Sequence, residues 1–390
     1  MNEVYLDYNG SAPLDPRVFE AMEPLLRNGV GNASSSHRFG RRQAALAETA
    51  REQVAALVDA PAPGVVFCSG ATEANNLALV GLAEGAPAER NRLVVSAVEH
   101  ASVYETARWL HEQGMAKTDV VGVTEGGFVD LDELGSLLGP DVLAVSVMAA
   151  NSETGVLNPL EQIAESAHGV GAVFHCDAAQ VAGRLPLSMG DLSIDLLSLS
   201  GHKMCGPGGV GALVGTGGAL RGLRPVAHGG GQERGLRSGS LNVAGIAGFG
   251  AAAVLGLKER EQESARVEVL RDRLVDGVRI GLRGVCENGD TSKRLPNTAN
   301  LHFAGADAEA VIHNMDPLAV SAGSACSAGA IEPSRVLTAM GLSREEAFES
   351  VRFSLGRFTT DAEVDTAISK TVEAVTRVRD MTGEAFGAVG

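Results

Sequence analysis

Long hydrophobic runs are absent from this sequence of 390 residues. A helix that crosses a bilayer needs about 20 consecutive apolar residues, and no segment approaches that length. The first ten residues, MNEVYLDYNG, carry acidic and polar groups where a secretory signal would have basic residues and an apolar run. We therefore expect a cytoplasmic protein with no membrane partner.

Positive charge and aromatic side chains are also scarce. The 32 Lys and Arg residues are outnumbered by 48 Asp and Glu residues, which gives a formal net charge of −16. Aromatic residues make up only 4% of the chain. Because nucleic-acid binding requires a basic face and benefits from aromatic rings that stack on bases, we expect no nucleic-acid partner.

Closely spaced cysteine pairs are missing as well. The five cysteines stand far apart, at positions 68, 176, 205, 286 and 326. This spacing argues against a zinc knuckle and is typical of reduced intracellular thiols, so we expect the chain to hold no metal of its own. Cys68, Cys176, Cys205 and Cys286 lie in or beside apolar segments and are predicted to be small buried hydrophobic residues.

Short runs that are apolar on both faces alternate with helical stretches over the first 260 residues. These runs are VVFCS (65–69), LVVSA (93–97), VLAVSVMAA (142–150), AVFHCD (172–177) and IDLLSLS (194–200). Such alternation predicts an α/β fold with a mostly parallel sheet flanked by helices. Ligands of these sheets bind at the carboxyl ends of the strands.

The pattern changes near residue 251. A long charged amphipathic helix is predicted over 251–278, followed by a short strand, NTANLHF, at 297–303. The length of the chain allows two or three domains. We predict a large domain at 14–255 and a smaller α+β domain formed by 1–13 and 256–390.

One of the five lysines lies at the end of a predicted buried strand. Lys203 follows IDLLSLS and precedes the glycine-rich turn GPGGVG. Burial lowers the pKa of a lysine, and an unprotonated lysine can form an imine with an aldehyde cofactor. The alternative is an ordinary strand-end lysine that extends to water.

Other strand ends carry groups that match such a cofactor. Asp177 ends AVFHCD, and pyridoxal phosphate needs a carboxylate at its ring nitrogen, although a strand-end Asp is also a common helix N-cap. Gln180 could donate to the phenolic oxygen of the cofactor. Ala71 and Thr72 begin a helix whose N-terminus either binds a phosphate or is simply capped. His100 follows LVVSA and could stack on the ring or carry protons.

The order of the motifs along the chain carries a resemblance to a known family. They are SGATEANN, EHASV, ANSETG, HCDAAQ, SGHK, GGGQERGLRSGSLN, SAGSACS, EPSRVL and VRFSLGRFT. With this set, the sequence resembles the cysteine desulfurases of the class V aminotransferase group, specifically the longer-loop type used in iron–sulfur cluster assembly. The resemblance extends from residue 5 to residue 360. It implies fold type I of the pyridoxal phosphate enzymes, with a seven-stranded sheet.

The resemblance implies roles for individual residues in binding the cofactor. Lys203 would form the imine, Asp177 would face the ring nitrogen, and His100 would stack on the ring. Ser240 would reach the phosphate from the other subunit of a homodimer with shared active sites. The complete set implied for pyridoxal phosphate is Ala71, Thr72, His100, Asn151, Asp177, Gln180, Ser200, His202, Lys203 and Ser240.

The resemblance also implies which residues bind the substrate and accept its sulfur. Arg352 would bind the carboxylate of L-cysteine, with Asn32 and Asn151 nearby. Cys326 lies in SAGSACSAGA, a composition that suits an exposed loop, although a glycine-rich turn with an incidental cysteine has the same composition. By resemblance, Cys326 is the catalytic thiol that takes the sulfur as a persulfide, with Lys203 and His100 as its catalytic partners.

The expected product is L-alanine, and the expected sulfur acceptor is a carrier or an iron–sulfur scaffold protein, with which Cys326 could transiently ligate a cluster. Two alternatives stay open at this point. One is a selenocysteine lyase or a transaminase of the same class, and a transaminase has no use for Cys326. The other is a non-catalytic scaffold with a vestigial cofactor site, which would form no alanine.

Overall fold

The computed structural model describes residues 3–322 and 332–383. Its strands are β1 (Val4–Tyr5), β2 (Val65–Cys68), β3 (Arg92–Ser96), β4 (Lys117–Val121), β5 (Val142–Ser146), β6 (Val173–Asp177), β7 (Leu196–Ser200), β8 (Gly211–Gly215), β9 (Val285–Glu287), β10 (Thr298–Phe303), β11 (Leu318–Ala319) and β12 (Ser350–Ser354). Its α-helices are α1 (Pro16–Asn28), α2 (Arg38–Leu57), α3 (Ala71–Gly85), α4 (Ala101–Glu112), α5 (Leu131–Leu137), α6 (Leu160–Gly169), α7 (Gly217–Gly222), α8 (Val243–Gly281), α9 (Ala308–His313), α10 (Arg335–Ala339), α11 (Arg344–Phe348) and α12 (Asp361–Thr382). No helix in these two ranges has both the length and the apolar character that a bilayer crossing requires.

A sheet of seven strands dominates the first part of the chain, in the order β2-β8-β7-β6-β5-β3-β4. Strand β8 is antiparallel to both of its neighbours, and the other adjacent pairs are parallel. The predicted α/β fold with a mostly parallel sheet is therefore confirmed. The five apolar runs correspond to β2, β3, β5, β6 and β7. Strands β4 and β8 were not predicted, because β4 is a partly exposed edge strand and β8 directly follows the glycine-rich turn.

The carboxyl ends of the five predicted strands meet at one edge of this sheet. Strand β2 belongs to this group because β8 is antiparallel to both β2 and β7, which makes β2 parallel to β7. The segments that follow the strands therefore converge, including Ser69 after β2, Asp177 at the end of β6 and Ser200 at the end of β7. This convergence is the general reason that ligands of parallel sheets bind at that edge.

Helix α8 is 39 residues long and connects two hydrophobic cores. Ile246, near its start, is buried in the core of the large sheet, whereas Leu270 is buried in a second core. The helix begins at Val243, eight residues before its predicted start. Glycines near this end lower the intrinsic helix propensity, but they permit close packing: a Cβ at Gly250 would lie 2.8 Å from the Cα of Ala50 on α2. Packing therefore outweighs propensity here.

The second core includes the N-terminal segment. Val4 and Leu6 are buried in it, and β1 pairs with β11 in parallel. The backbone N–H of Ser354 donates to the carbonyl oxygen of Leu6 at 2.8 Å, which ties this segment to β12. Strands β12, β10 and β9 form an antiparallel sheet in that order. The domain boundaries at residues 13/14 and 255/256 stay a prediction.

The packing of Gly356 against Tyr8 gives a test of how the N-terminal segment is held. A Cβ at position 356 would lie 2.0 Å from Cδ1 of the buried Tyr8 ring. We expect Gly356→Ala to lower the free energy of unfolding by about 2–3 kcal/mol, as other overpacked sites do. Urea unfolding measures this loss. In the control Gly135→Ala, on α5, the added Cβ meets no atom within 4 Å, so unchanged or slightly raised stability is expected. Equal stability of both variants would contradict the close packing.

Candidate active site

A cavity of about 850 Å³ lies at the carboxyl edge of the large sheet. Strand β12 and residues 332–336, which are remote in sequence from that sheet, also contribute to its wall. Nine of the predicted site residues line the cavity: Ala71, Thr72, His100, Asp177, Gln180, Ser200, His202, Lys203 and Arg352. The structure thus brings most of the predicted set together from five separate segments of the chain.

Lys203 lies in a short 3-10 turn, Gly201–Met204, directly after β7. Its Nζ donates hydrogen bonds to the carbonyl oxygens of Asn9 at 2.5 Å and Gly10 at 2.6 Å. Burial, together with the positive charges of Arg184 and Arg352, lowers the pKa of Lys203 to about 8. About a tenth of this amine is therefore unprotonated at pH 7, far more than for a lysine with the usual pKa. The unprotonated amine is the form that attacks an aldehyde.

Asp177 presents a carboxylate on the cavity wall and is only 6% exposed. Its Oδ1 accepts a hydrogen bond from the backbone N–H of Ala179 at 3.0 Å, and its Oδ2 accepts one from Nδ2 of Asn75 at 2.7 Å. Both oxygens are thus fixed in position by neutral donors. A fixed carboxylate of this kind can keep a basic ring nitrogen protonated.

The N-terminus of α3 forms an anion-binding part of the wall. Gly70 is its N-cap and gives the first turn no side-chain hydrogen bond, so the cap that the alternative interpretation required is missing at this position. Ala71 and Thr72 open the helix beside Ser200 and His202. Desolvation, with Lys203 and Arg184 adding positive charge, lowers the pKa of His202 to about 4. A neutral ring there can still donate one hydrogen bond to a phosphate.

Arg352 lies on β12 and is held in position before any substrate arrives. Its Nη2 donates to Oδ1 of Asp7 at 2.6 Å, and its Nη1 donates to the carbonyl oxygen of Ser152 at 3.1 Å. Its Nε is buried and has no hydrogen-bond partner among the described residues. A planar guanidinium in this setting suits a carboxylate, which it can bind through two hydrogen bonds.

The amides of Gln180 and Asn151 are both engaged by the protein. Gln180 donates from Nε2 to the carbonyl oxygen of Asn9 at 3.0 Å, while its Oε1 accepts from Arg184 at 2.6 Å. Asn151 does not line the cavity. Its Oδ1 accepts from the backbone N–H groups of Glu153 and Thr154 at 2.8 and 3.0 Å, so its side chain shapes the turn after β5.

Two further predicted residues lie elsewhere, and one lies outside the described residues. Asn32 and Ser240 are both exposed and do not line the cavity, but they lie together, with Nδ2 of Asn32 3.4 Å from Oγ of Ser240. Cys326 lies outside the described residues. Among the other cysteines, the predicted burial is right for Cys68, Cys176 and Cys205 and wrong for Cys286, which is exposed on the short strand β9.

Comparison with known proteins agrees with this geometry. The model of the Aminotransferase class-V family matches residues 4–366. Cysteine desulfurase IscS of Anaeromyxobacter sp. (strain Fw109-5) is 45% identical over 379 residues, which are 97% of this chain and 94% of that protein. The chain belongs to the cysteine desulfurase family. Cysteine desulfurase of Rattus norvegicus is 40% identical over 98% of this chain and 84% of its own. A solved structure of a NifS-like protein has a TM-score of 0.90 at 33% identity, with 96% of this chain and 100% of that chain covered.

Cysteine desulfurases are pyridoxal phosphate-dependent enzymes, and the residues of this cavity fit that cofactor. An aldehyde would meet the amine of Lys203, whose pKa is lowered. A phosphate would meet the N-terminus of α3, where Gly70 leaves the first turn without a side-chain cap. A ring nitrogen would meet the carboxylate of Asp177. These three parts of the site come from three different strand ends.

Several cavity groups were not predicted. The carbonyl oxygens of Asn9 and Gly10 belong to the segment where the family resemblance begins, but no role in the site was predicted for it. Arg184 does not line the cavity, but its side chain donates hydrogen bonds to backbone carbonyl oxygens and to Oε1 of Gln180, which does. Burial also raises the pKa of Glu99 well above its usual range and that of Glu153 to about 7. Only the two glutamates carried a signal, since each stands inside a strand-end motif, EHASV or ANSETG.

The lowered pKa of Lys203 predicts how the cofactor-free protein takes up pyridoxal phosphate. The rate of uptake should rise with pH through a midpoint near 8, well below the usual lysine value, because only the unprotonated amine reacts. Absorbance of the bound cofactor measures the rate. Lys203→Ala should abolish the covalent uptake, and Lys293→Ala, at an exposed lysine outside the cavity, should leave it unchanged. A midpoint near 10.5 would show that the amine is not desolvated.

Proposed function

We propose that the protein is a cysteine desulfurase that converts L-cysteine to L-alanine and retains the sulfur as a persulfide on Cys326. The observation that carries the proposal is the cavity itself, which combines an amine of lowered pKa, a fixed carboxylate and a carboxylate-binding arginine. The named relatives support the choice of L-cysteine as substrate. A non-catalytic scaffold would not need an amine of lowered pKa.

Pyridoxal phosphate, when bound, supplies an electron sink that stabilises negative charge at the carbon next to the substrate amine. Lys203 would hold its aldehyde carbon, and Asp177 would face its ring nitrogen. Ring stacking on His100 is supported by the exposure of that imidazole on the cavity wall. The phosphate would be held by the first turn of α3 with Ser200 and His202. Gln180 would lie near the phenolic oxygen, and Asn151 would contribute by holding the turn after β5.

The protein groups around the substrate have separate tasks. Arg352 binds the carboxylate of L-cysteine. To do so, its guanidinium gives up its hydrogen bond to Asp7 or to the carbonyl oxygen of Ser152. Asn32, reaching in from the other subunit of the proposed dimer, would support the same carboxylate. Lys203, once its amine is free, accepts the proton from Cα at its Nζ. His100 exchanges protons near the sulfur.

The chemistry balances without a further reactant. The Cβ–S bond of L-cysteine breaks, and a sulfur–sulfur bond forms to Sγ of Cys326. Cβ is reduced as the sulfur is oxidised. The thiol proton of Cys326 is transferred by groups of the site to Cβ, where it takes the place of the sulfur. The products are L-alanine and the enzyme persulfide. The persulfide sulfur then passes to an acceptor, for which an iron–sulfur scaffold protein is our choice because several relatives carry the name IscS.

The proposal includes a homodimer in the cytoplasm, with active sites shared between subunits. Ser240 and Asn32 are exposed, lie together and do not reach the cavity of their own subunit. Helices α1 and α2 carry exposed apolar side chains, including Phe19, Leu26 and Phe39, which are 45%, 61% and 50% exposed. A second copy that covers these side chains would carry Ser240 and Asn32 to the neighbouring cavity.

The decisive experiment incubates the cofactor-loaded protein with L-cysteine and measures L-alanine and protein-bound persulfide. Both should form with the native chain. Cys326→Ala should keep the cofactor absorbance and lose persulfide formation by roughly a hundredfold or more, as when a nucleophile is removed. Lys203→Ala should form neither product.

Cys286→Ser is the matched control, because Cys286 is exposed but lies outside the cavity, and it should behave like the native chain. Persulfide formation by Cys326→Ala at the native rate would overturn the role of Cys326. A keto acid in place of L-alanine would indicate a transaminase. Activity confined to selenocysteine would indicate a selenocysteine lyase.

A further inference from the structure

A chain of hydrogen bonds joins His100, on the cavity wall, to Asp177 at the end of β6. Nδ1 of His100 lies 2.7 Å from Oγ of Ser102 on α4. That Oγ lies 2.8 Å from Nδ2 of Asn75 on α3, and the same Nδ2 lies 2.7 Å from Oδ2 of Asp177. Asn75 is completely buried and Ser102 is 8% exposed, so the two central links are shielded from bulk water.

The orientation of the Asn75 amide is determined by its neighbours. Its Oδ1 is buried and has no hydrogen-bond partner in the described part of the chain. Turning the amide over would place this oxygen 2.7 Å from the carboxylate oxygen of Asp177, where two acceptors would face each other with no hydrogen between them. Nδ2 therefore faces Asp177, and its two hydrogens are both used. One goes to Asp177 and the other to Ser102.

This orientation determines where the Ser102 hydrogen points. A hydroxyl has one hydrogen, and Oγ of Ser102 already accepts from Asn75, so the hydroxyl donates to Nδ1 of His100. The backbone N–H of Ser102 donates to the same Nδ1 at 3.1 Å, because His100 is the N-cap of α4. With two donors directed at it, Nδ1 carries no proton. The proton of the neutral ring is therefore on Nε2.

We propose that Ser102 and Asn75 are positioning residues that hold His100 in the Nε2–H tautomer and couple its ring to the carboxylate of Asp177. His100 then presents a hydrogen-bond donor, not an acceptor, to a molecule in the cavity. The consequence for catalysis rests on the proposed function, in which His100 faces the reacting substrate. The tautomer itself does not depend on that function, so the two can fail separately.

The tautomer can be measured directly by ¹⁵N NMR of the cofactor-loaded protein with labelled histidine, in which His100→Gln identifies the His100 signals. At a pH where the ring is neutral, we expect Nδ1 to give the resonance of a nitrogen without a proton and Nε2 that of a nitrogen with one. The opposite assignment would overturn the proposal, whether or not the protein acts on L-cysteine. Because the measurement uses the native chain, it does not depend on whether variants at Ser102 or Asn75 fold.

Variants test the coupling and its use in the reaction. In Ser102→Ala, the Nδ1 resonance should move because one of its two donors is lost, and kcat for L-cysteine should fall roughly tenfold with KM within about twofold. Ser102→Thr keeps the hydroxyl, so it should restore the Nδ1 resonance and kcat most of the way to their native values. If Ser102→Ala leaves the Nδ1 resonance and kcat unchanged, the coupling is wrong. If the resonance moves and kcat does not, the role in the reaction is wrong and the tautomer assignment stands.

A second hydroxyl–amide bond between the same two helices provides the control. Oγ1 of Thr106 on α4 donates to Oδ1 of Asn76 on α3 at 3.0 Å, and neither side chain lines the cavity. Thr106→Val should therefore lower the melting temperature about as much as Ser102→Ala does. It should leave the His100 resonances and kcat unchanged. Equal effects of both variants on kcat would reduce Ser102 to a purely structural role.

Discussion

The amine of Lys203 is held out of bulk water by its position at the end of β7 and by two backbone carbonyls, those of Asn9 and Gly10. These carbonyls do not neutralise a positive charge, and Arg184 and Arg352 oppose it. The result is an amine with a pKa of about 8. The roles proposed for the other residues of the site all depend on the reactivity of this amine. Without desolvation, the same residues would surround an ordinary ammonium group.

That desolvation depends on both hydrophobic cores. Lys203 and Asp177 belong to the large sheet, whereas the segment with Asn9 and Gly10 is attached to the second core through β1, β11 and β12. Arg352 also comes from the second core. Helix α8 passes from one core into the other and connects them rigidly. The groups proposed for the cofactor and the group proposed for the substrate carboxylate thus come from different cores, and the cavity exists only where these cores meet.

Much of this arrangement could be predicted from the sequence, because parallel strands place their carboxyl ends at one edge. Runs that are apolar on both faces located five strands, and the residues just after them, such as Asp177 and Lys203, line the cavity. The carbonyl groups of Asn9 and Gly10 could not be predicted, since backbone atoms leave no residue pattern. The start of α8 at Val243 was missed because the glycines there have low helix propensity, and only tertiary packing stabilises this part of the helix.

Side-chain partners were the least predictable part of the site. Asn151 was expected on the cavity wall, yet its amide is used within its own turn. Asn75 stands in the motif SGATEANN one turn after the residues proposed to bind the phosphate, and only the crossing of α3 over α4 shows that it contacts both Asp177 and Ser102. Such contacts depend on helix packing, which a single sequence does not specify.

Covalent trapping of the cofactor tests the central claim most directly. The loaded protein is reduced with borohydride and digested, and the peptides are searched for the added pyridoxyl mass. The account predicts this mass on the peptide that contains Lys203 and on no other peptide. A pyridoxyl group on any of the other four lysines, or on none, would contradict it.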